Sequence, residues 1–102
     1  LRRRVGRAAL EGPGAAMKVL IPSPLRDYTS GQRWVEAEGR TLGEVLDDLD
    51  RRYPGIRFRM IDEQDTMRRH IRFFVNGAQT FDLKLPLAAA DELCIVQALS
   101  GG

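Results

Sequence analysis

Apolar and polar positions alternate in several short runs, and one longer stretch repeats at helical spacing. Lys18 to Pro22 (KVLIP) reads as a β-rich run stopped by Pro22 and Pro24. Ser30-Gly31 marks a turn, and Gln32 to Glu38 (QRWVEAE) is the returning strand, closed by Gly39. Thr41 and Glu44 have the spacing of a capping box, in which the hydroxyl accepts the Glu44 amide and the carboxylate reaches back. Leu42, Val45, Leu46, Leu49 and Tyr53 then form one apolar stripe, and Pro54-Gly55 ends the helix. Ile56 to Asp65 reads as a packed connection, followed by an exposed loop around Glu63 to Met67. Ile71, Phe73 and Val75 restart a strand, Asn76-Gly77 is a hairpin signal, and Gln79 to Leu83 supplies the partner. Pro86-Leu87 opens a loop, and Leu93 to Ala98 is the last strand.

The order β-β-α-β-β-β, with one well-formed helix, predicts an α+β chain: a mixed sheet of four to five strands with the helix across one face. Alternation points Val19, Ile21, Ile71, Phe73, Val75, Leu93 and Ile95 at the helical stripe. Leu20, Pro22, Phe74, Cys94 and Val96 then fall on the far face. This is the β-grasp, or ubiquitin-like, arrangement. A contiguous apolar group on a face without a helix marks a protein contact, so Leu20, Pro22, Phe74 and Val96 are expected to form a docking patch.

Composition narrows what such a domain can do. The chain has 102 residues, 43% of them hydrophobic and 29% charged, which suits one globular domain. No apolar run is long enough to span a bilayer, so no membrane association and a cytoplasmic location are expected. One cysteine, Cys94, and one histidine, His70, leave no set of residues for a zinc or iron–sulfur site. They also leave no nucleophile–base–orienter set for an independent hydrolase. The formal charge of +2 resides in residues 1–16, where Arg2, Arg3, Arg4 and Arg7 face only Glu11. That segment has no periodic apolar face, so a disordered leader or upstream sequence is expected over 1–16, with the domain over 17–98 and a short tail over 99–102. The remaining chain is nearly neutral, which argues against nucleic acid as a partner.

Several features taken together resemble the ubiquitin-like sulfur carriers of the MoaD/ThiS family. They are the β-rich start, the capped helix ending at Tyr53-Pro54-Gly55, Phe74-Val75-Asn76-Gly77, Pro86-Leu87, Asp91-Glu92-Leu93 and the terminal Gly101-Gly102. The resemblance implies a protein cosubstrate rather than an enzyme. It implies that Gly102 carries the reacting carboxylate, Gly101 is its slender neighbour, and Leu99 and Ser100 lead into them. A glycine end suits this task because it has no Cβ to obstruct threading into another protein's active site. The implied partners are an E1-like adenylating enzyme, which uses ATP, and a sulfur-accepting enzyme, either the large subunit of molybdopterin synthase or one of the cysteine synthase type. The chain itself is expected to bind no cofactor and no metal.

Other conspicuous residues read as structural. Cys94 is expected to pack on the sheet, since the resemblance puts sulfur on the terminal carboxyl. His70 reads as a solvated strand-start residue, and Asp47, Asp48 and Asp50 as a solvated helix face. Either Trp34 or Val35 must face outward. Two alternatives stay open: the small subunit of molybdopterin synthase, and a ubiquitin-like modifier or binding module without sulfur transfer. Molybdopterin-synthase small subunits often carry prolines before the tail, where this chain has Val96, Gln97 and Ala98. Ala90 stands where a glycine commonly precedes the Asp-Glu pair. The long connection from Pro54 to His70 is more like that of carriers serving cysteine biosynthesis.

Overall fold

The computed structural model describes residues 16–98, and what is expected of 1–15 and of Leu99, Ser100, Gly101 and Gly102 lies outside them. Its strands are β1 (Ala16–Leu20), β2 (Trp34–Glu38), β3 (Ile71–Val75), β4 (Ala78–Thr80) and β5 (Glu92–Gln97), with one α-helix, α1 (Leu42–Arg52). Short 3-10 turns occupy Ser23–Thr29 and Arg57–Arg59. The sheet order is β2-β1-β5-β3-β4. β1 and β5 run parallel at its centre, and the outer pairings are antiparallel. This is the β-grasp expected from the element order.

The first strand begins at Ala16, paired with Glu38, one position before the boundary drawn from composition. The hairpin forms where Asn76-Gly77 puts it. Both residues have positive φ, 51° and 87°, as the twist-matched two-residue turn requires.

Strand alternation assigns the faces as anticipated. Val19, Ile21, Phe73, Leu93 and Ile95 are buried against Leu42, Val45, Leu46 and Leu49. The connection after the helix adds Ile56, Met60 and Ile61 to this core, and an isolated bridge joins Ile61 to Met67.

β4 is shorter than the strand expected over Gln79 to Leu83. Beyond Thr80 the chain leaves the sheet, with the Asp82 amide donating to Thr80 Oγ1 and the Lys84 amide to Asp82 Oδ1. The segment then caps the helix. The Leu42 and Gly43 amides donate to the Leu85 and Leu83 carbonyls, at 3.0 and 2.8 Å. The Glu44 amide donates to Thr41 Oγ1 and the Val45 amide to the Thr41 carbonyl. The Leu42, Gly43 and Glu44 amides, which an unassisted helix start leaves without partners, are therefore satisfied, and the Val45 amide makes the first bond of the helix itself. Glu44 reaches back to the Arg40 amide at 2.8 Å, one residue before the cap.

Candidate functional site: the open sheet face and the root of the tail

The face of the sheet away from α1 is organised in rows set by strand register. Leu20 stands opposite Trp34 on β2 and Cys94 on β5, and Cys94 stands opposite Phe74 on β3. Opposed residues in adjacent strands share a face, so Trp34, Leu20, Cys94 and Phe74 form one apolar band across four strands. Trp34 is 47% exposed and Val96, one step further along β5, is 38% exposed. Leu20, Phe74 and Cys94 are half-buried. On one side of the band the same face carries Glu36, Lys18 and Glu92 in a row. On the other side Val96 stands opposite Arg72.

The tail leaves from that second side. The Ala98 amide donates to the His70 carbonyl at 2.7 Å, extending the β3–β5 ladder past Gln97. The point of departure is therefore fixed to the sheet, next to Val96 and the start of β3. Cys94 lies in the middle of the band, and burial, with Glu92 nearby, pushes its thiol pKa up. A thiol held protonated is a poor nucleophile.

The helix acidic residues are each engaged. Asp48 is buried at 3% exposure, receives the Glu38 amide at 2.9 Å and pairs with Arg51 and Arg52. Asp47 pairs with Arg57 at 3.0 Å, and Asp50 accepts the Gly55 and Arg57 amides. The reading of all three as a solvated face is thus corrected at Asp48, whose place beside the edge of β2 gives it an amide to accept. Among the described residues, no group of three or more His, Cys, Asp and Glu side chains could hold a metal ion.

A family model for ThiS matches residues 19–102. The chain belongs to the ThiS family. Sulfur carrier protein CysO from Mycobacterium tuberculosis (strain ATCC 25618 / H37Rv) is 36% identical over 89 residues, which cover 82% of this chain and 96% of the relative. Among solved structures, the BexX/CysO complex of Amycolatopsis orientalis matches with a TM-score of 0.77 at 35% identity, covering 84% of this chain and 99% of the matched chain. SAMP1 from Haloferax volcanii, a small archaeal modifier protein, matches with a TM-score of 0.73 at 27% identity, covering 86% of this chain and 100% of that one. The chain is a ubiquitin-like sulfur carrier of the MoaD/ThiS type.

In this ThiS-family chain, Leu20, Phe74 and Val96 lie together on the open face as expected. Pro22 does not join them. It is buried just past the end of β1, where it precedes the 3-10 turn and its carbonyl accepts the Leu25 amide at 2.9 Å. The alternation that put Pro22 outward fails because the strand has already ended at Leu20. Trp34 is the larger omission from the expected patch. Its side was undecidable from β2 alone, and only the register with Leu20 settles it. Phe81, 68% exposed, was hidden by an overlong β4. His70 is exposed immediately before β3, as expected. Among the described residues no helix is long and apolar enough to cross a membrane.

Proposed function

We propose that the chain carries sulfur as a thiocarboxylate on Gly102, made with the help of an E1-like partner enzyme. The terminal carboxylate attacks the α-phosphorus of ATP, pyrophosphate leaves, and the product is a mixed acyl–AMP anhydride. A sulfur nucleophile then adds to the acyl carbon and AMP departs, leaving sulfur in place of one oxygen. Activation is needed because a carboxylate resists nucleophilic attack, whereas the anhydride has a good leaving group. ATP belongs to the partner in this scheme, and the chain supplies the substrate. Carriers of this type are protein substrates rather than catalysts, which fits a chain with one half-buried cysteine and one exposed histidine.

The observation that carries the proposal is Gly101-Gly102 within the family match, four residues beyond a strand end pinned to His70. The Trp34–Leu20–Cys94–Phe74 band is the surface we assign to docking the activating enzyme, with Val96 on the path to the tail. Binding of a folded partner there would place the tail root at the border of the contact. We assign the delivered sulfur to cysteine biosynthesis, through an acceptor of the cysteine synthase type. Support comes from the CysO relatives and from the extended connection between α1 and β3.

The test is intact-mass measurement after incubation with the adenylating enzyme, ATP and sulfide. The protein should gain the mass of one oxygen-to-sulfur replacement, located at Gly102 by fragmentation, and Cys94→Ser should still gain it. Deleting Gly102 should abolish the change, because displacing the reacting carbon forfeits an orientation effect of up to roughly 7–11 kcal/mol. Label that follows Cys94 would overturn the proposal. Adducts to lysines without sulfur would favour the modifier reading instead.

A further inference from the structure

The end of the sheet from which the tail departs is lined by arginines that the proposed chemistry does not use. Two open grooves meet there. One, of about 370 Å³, is lined by Leu25, Phe58, Arg59, Arg68, His70 and Gln97, and so adjoins the last pair of the β5 ladder. The other, of about 700 Å³, runs past Arg68, Arg69 and Arg72 to Gln79 and Phe81. Arg68 is common to both grooves. It lies over the Phe58 ring at 4.5 Å and donates to the Phe58 carbonyl at 2.6 Å, so its guanidinium is held in place. Arg72 is fixed by donating to the Arg69 and Ile71 carbonyls.

Among the described residues, none of Arg59, Arg68, Arg69 and Arg72 forms an ion pair, although Arg51, Arg52 and Arg57 all do. The carboxylate in the grooves' lining, Asp65, is itself paired with Arg57 at 3.2 Å. Among the described residues, these four cations line the grooves beside the tail root and none is paired with an acid.

We propose that this arginine collar seats an acidic protein surface, rich in Asp and Glu, around the cleft of the enzyme that activates the tail. The proposal rests on the reading of Gly102 as the reacting end. Four residues separate Ala98 from that carboxyl, and an extended chain covers at most about 3.3–3.6 Å per residue. A cleft that takes Gly102 must therefore bring its rim within about 14 Å of Ala98, which is where the collar stands. Guanidinium groups match carboxylates in paired hydrogen bonds, and fixed ones lose less freedom on binding. A long polyanion such as nucleic acid fits less well, because beyond the apolar band the open face carries Glu36 and Glu92 on either side of Lys18, a row with a net negative charge. That polarity gives the carrier one electrostatically favoured way round: acidic row outermost, arginines at the rim.

Association of the full chain with the adenylating enzyme of its own organism, followed by stopped flow without ATP, tests the collar separately from the sulfur chemistry. The association rate should fall by about tenfold or more between roughly 50 and 500 mM salt. Arg59→Gln with Arg69→Gln should slow association by about fivefold or more at low salt and flatten its salt dependence. Both side chains are exposed and make no hydrogen bond among the described residues, so the fold should persist, as circular dichroism can verify. Arg59→Lys with Arg69→Lys should restore most of the rate, and Lys84→Gln, which lines neither groove, should leave it unchanged. A salt-insensitive rate, or a double glutamine variant equal to wild type, overturns the collar even if sulfur loading proceeds. Loss of binding to a single-stranded RNA oligonucleotide, with enzyme association unchanged, overturns it too. Normal steered association without any sulfur gain leaves the collar standing and removes the thiocarboxylate reading.

Discussion

Asp48 shows how a single side chain can tie a helix to a sheet edge. The Glu38 amide lies on an edge strand, and Asp48 Oδ2 accepts it at 2.9 Å while also taking Arg52 Nε at 2.7 Å. Burial raises the Asp48 pKa, but the Glu38 amide, Arg52 and Arg51 together outweigh it, and the net direction is down. Asp48→Ala should destabilise the fold by about 1–3 kcal/mol in urea denaturation, since it takes the acceptor from the part-buried Glu38 amide and empties a buried position against β2; the exposed Arg51 and Arg52 can turn to water. A carboxyl whose folded pKa lies below its unfolded value stabilises the fold above the unfolded value, near 3.9. That contribution is lost as pH falls through the lower folded value. The wild-type advantage over Asp48→Asn should therefore be constant from neutral pH to about pH 5 and shrink below about pH 4. An advantage that shrinks between neutrality and pH 5 would show that Asp48 is not the group involved. The sequence could not reveal this residue. Asp47, Asp48 and Asp50 look alike along the helix, and only Asp48 meets an unpaired amide of a strand.

At the scale of elements, the parts with a local physical signature were legible and those decided by packing were not. The capping box, the apolar stripe and the Asn76-Gly77 turn each carry their own chemistry, and each stands where the pattern put it. The end of β4 carries no such mark. Leu83 and Leu85 leave the sheet because their carbonyls are needed at the start of α1, a requirement that spans some forty residues of chain. For the same reason Pro22 was misplaced, since nothing in KVLIP says that the strand ends at Leu20 and its last ladder bond, from the Ile21 amide to the Arg33 carbonyl, comes just before the proline. The junction between β2 and α1 yields the sharpest test at this scale. A Cβ on Gly39 would lie 2.6 Å from the Val45 nitrogen and 2.8 Å from the Glu44 carbonyl carbon, both backbone atoms. No rotamer change can relieve such a contact, so the helix start must shift. Gly39→Ala should cost about 1–3 kcal/mol in thermal or urea unfolding, with Gly77→Ala as a comparison where only turn strain applies. A Gly39→Ala protein as stable as wild type would mean that the close approach is not maintained in solution.

For the whole molecule, the central question is why, among the described residues, no element covers one face of the sheet. A single helix of eleven residues covers one face of a five-stranded sheet, and on the other face register collects Trp34, Leu20, Cys94 and Phe74. Such a band is tolerable on a free domain because Leu20, Cys94 and Phe74 shelter one another, leaving Trp34 most open. In a complex the whole band can lose water, and aromatic side chains at the centre of a contact carry a disproportionate part of its energy. Trp34→Ala and Phe74→Ala should each weaken binding to the adenylating enzyme by roughly tenfold or more, equivalent to about 1.4–2 kcal/mol, in titration calorimetry. Neither change touches the helix-facing core, where Phe73 and Val35 do the packing, so cooperative unfolding should persist in both variants. Phe81→Ala should have a smaller effect, because Phe81 lies past the end of β4 and outside the four-strand band. Equal affinity for all three variants and wild type would exclude the band as the docking surface. A loss at Phe81 alone would move the contact to the arginine-lined groove it borders, away from the centre of the sheet.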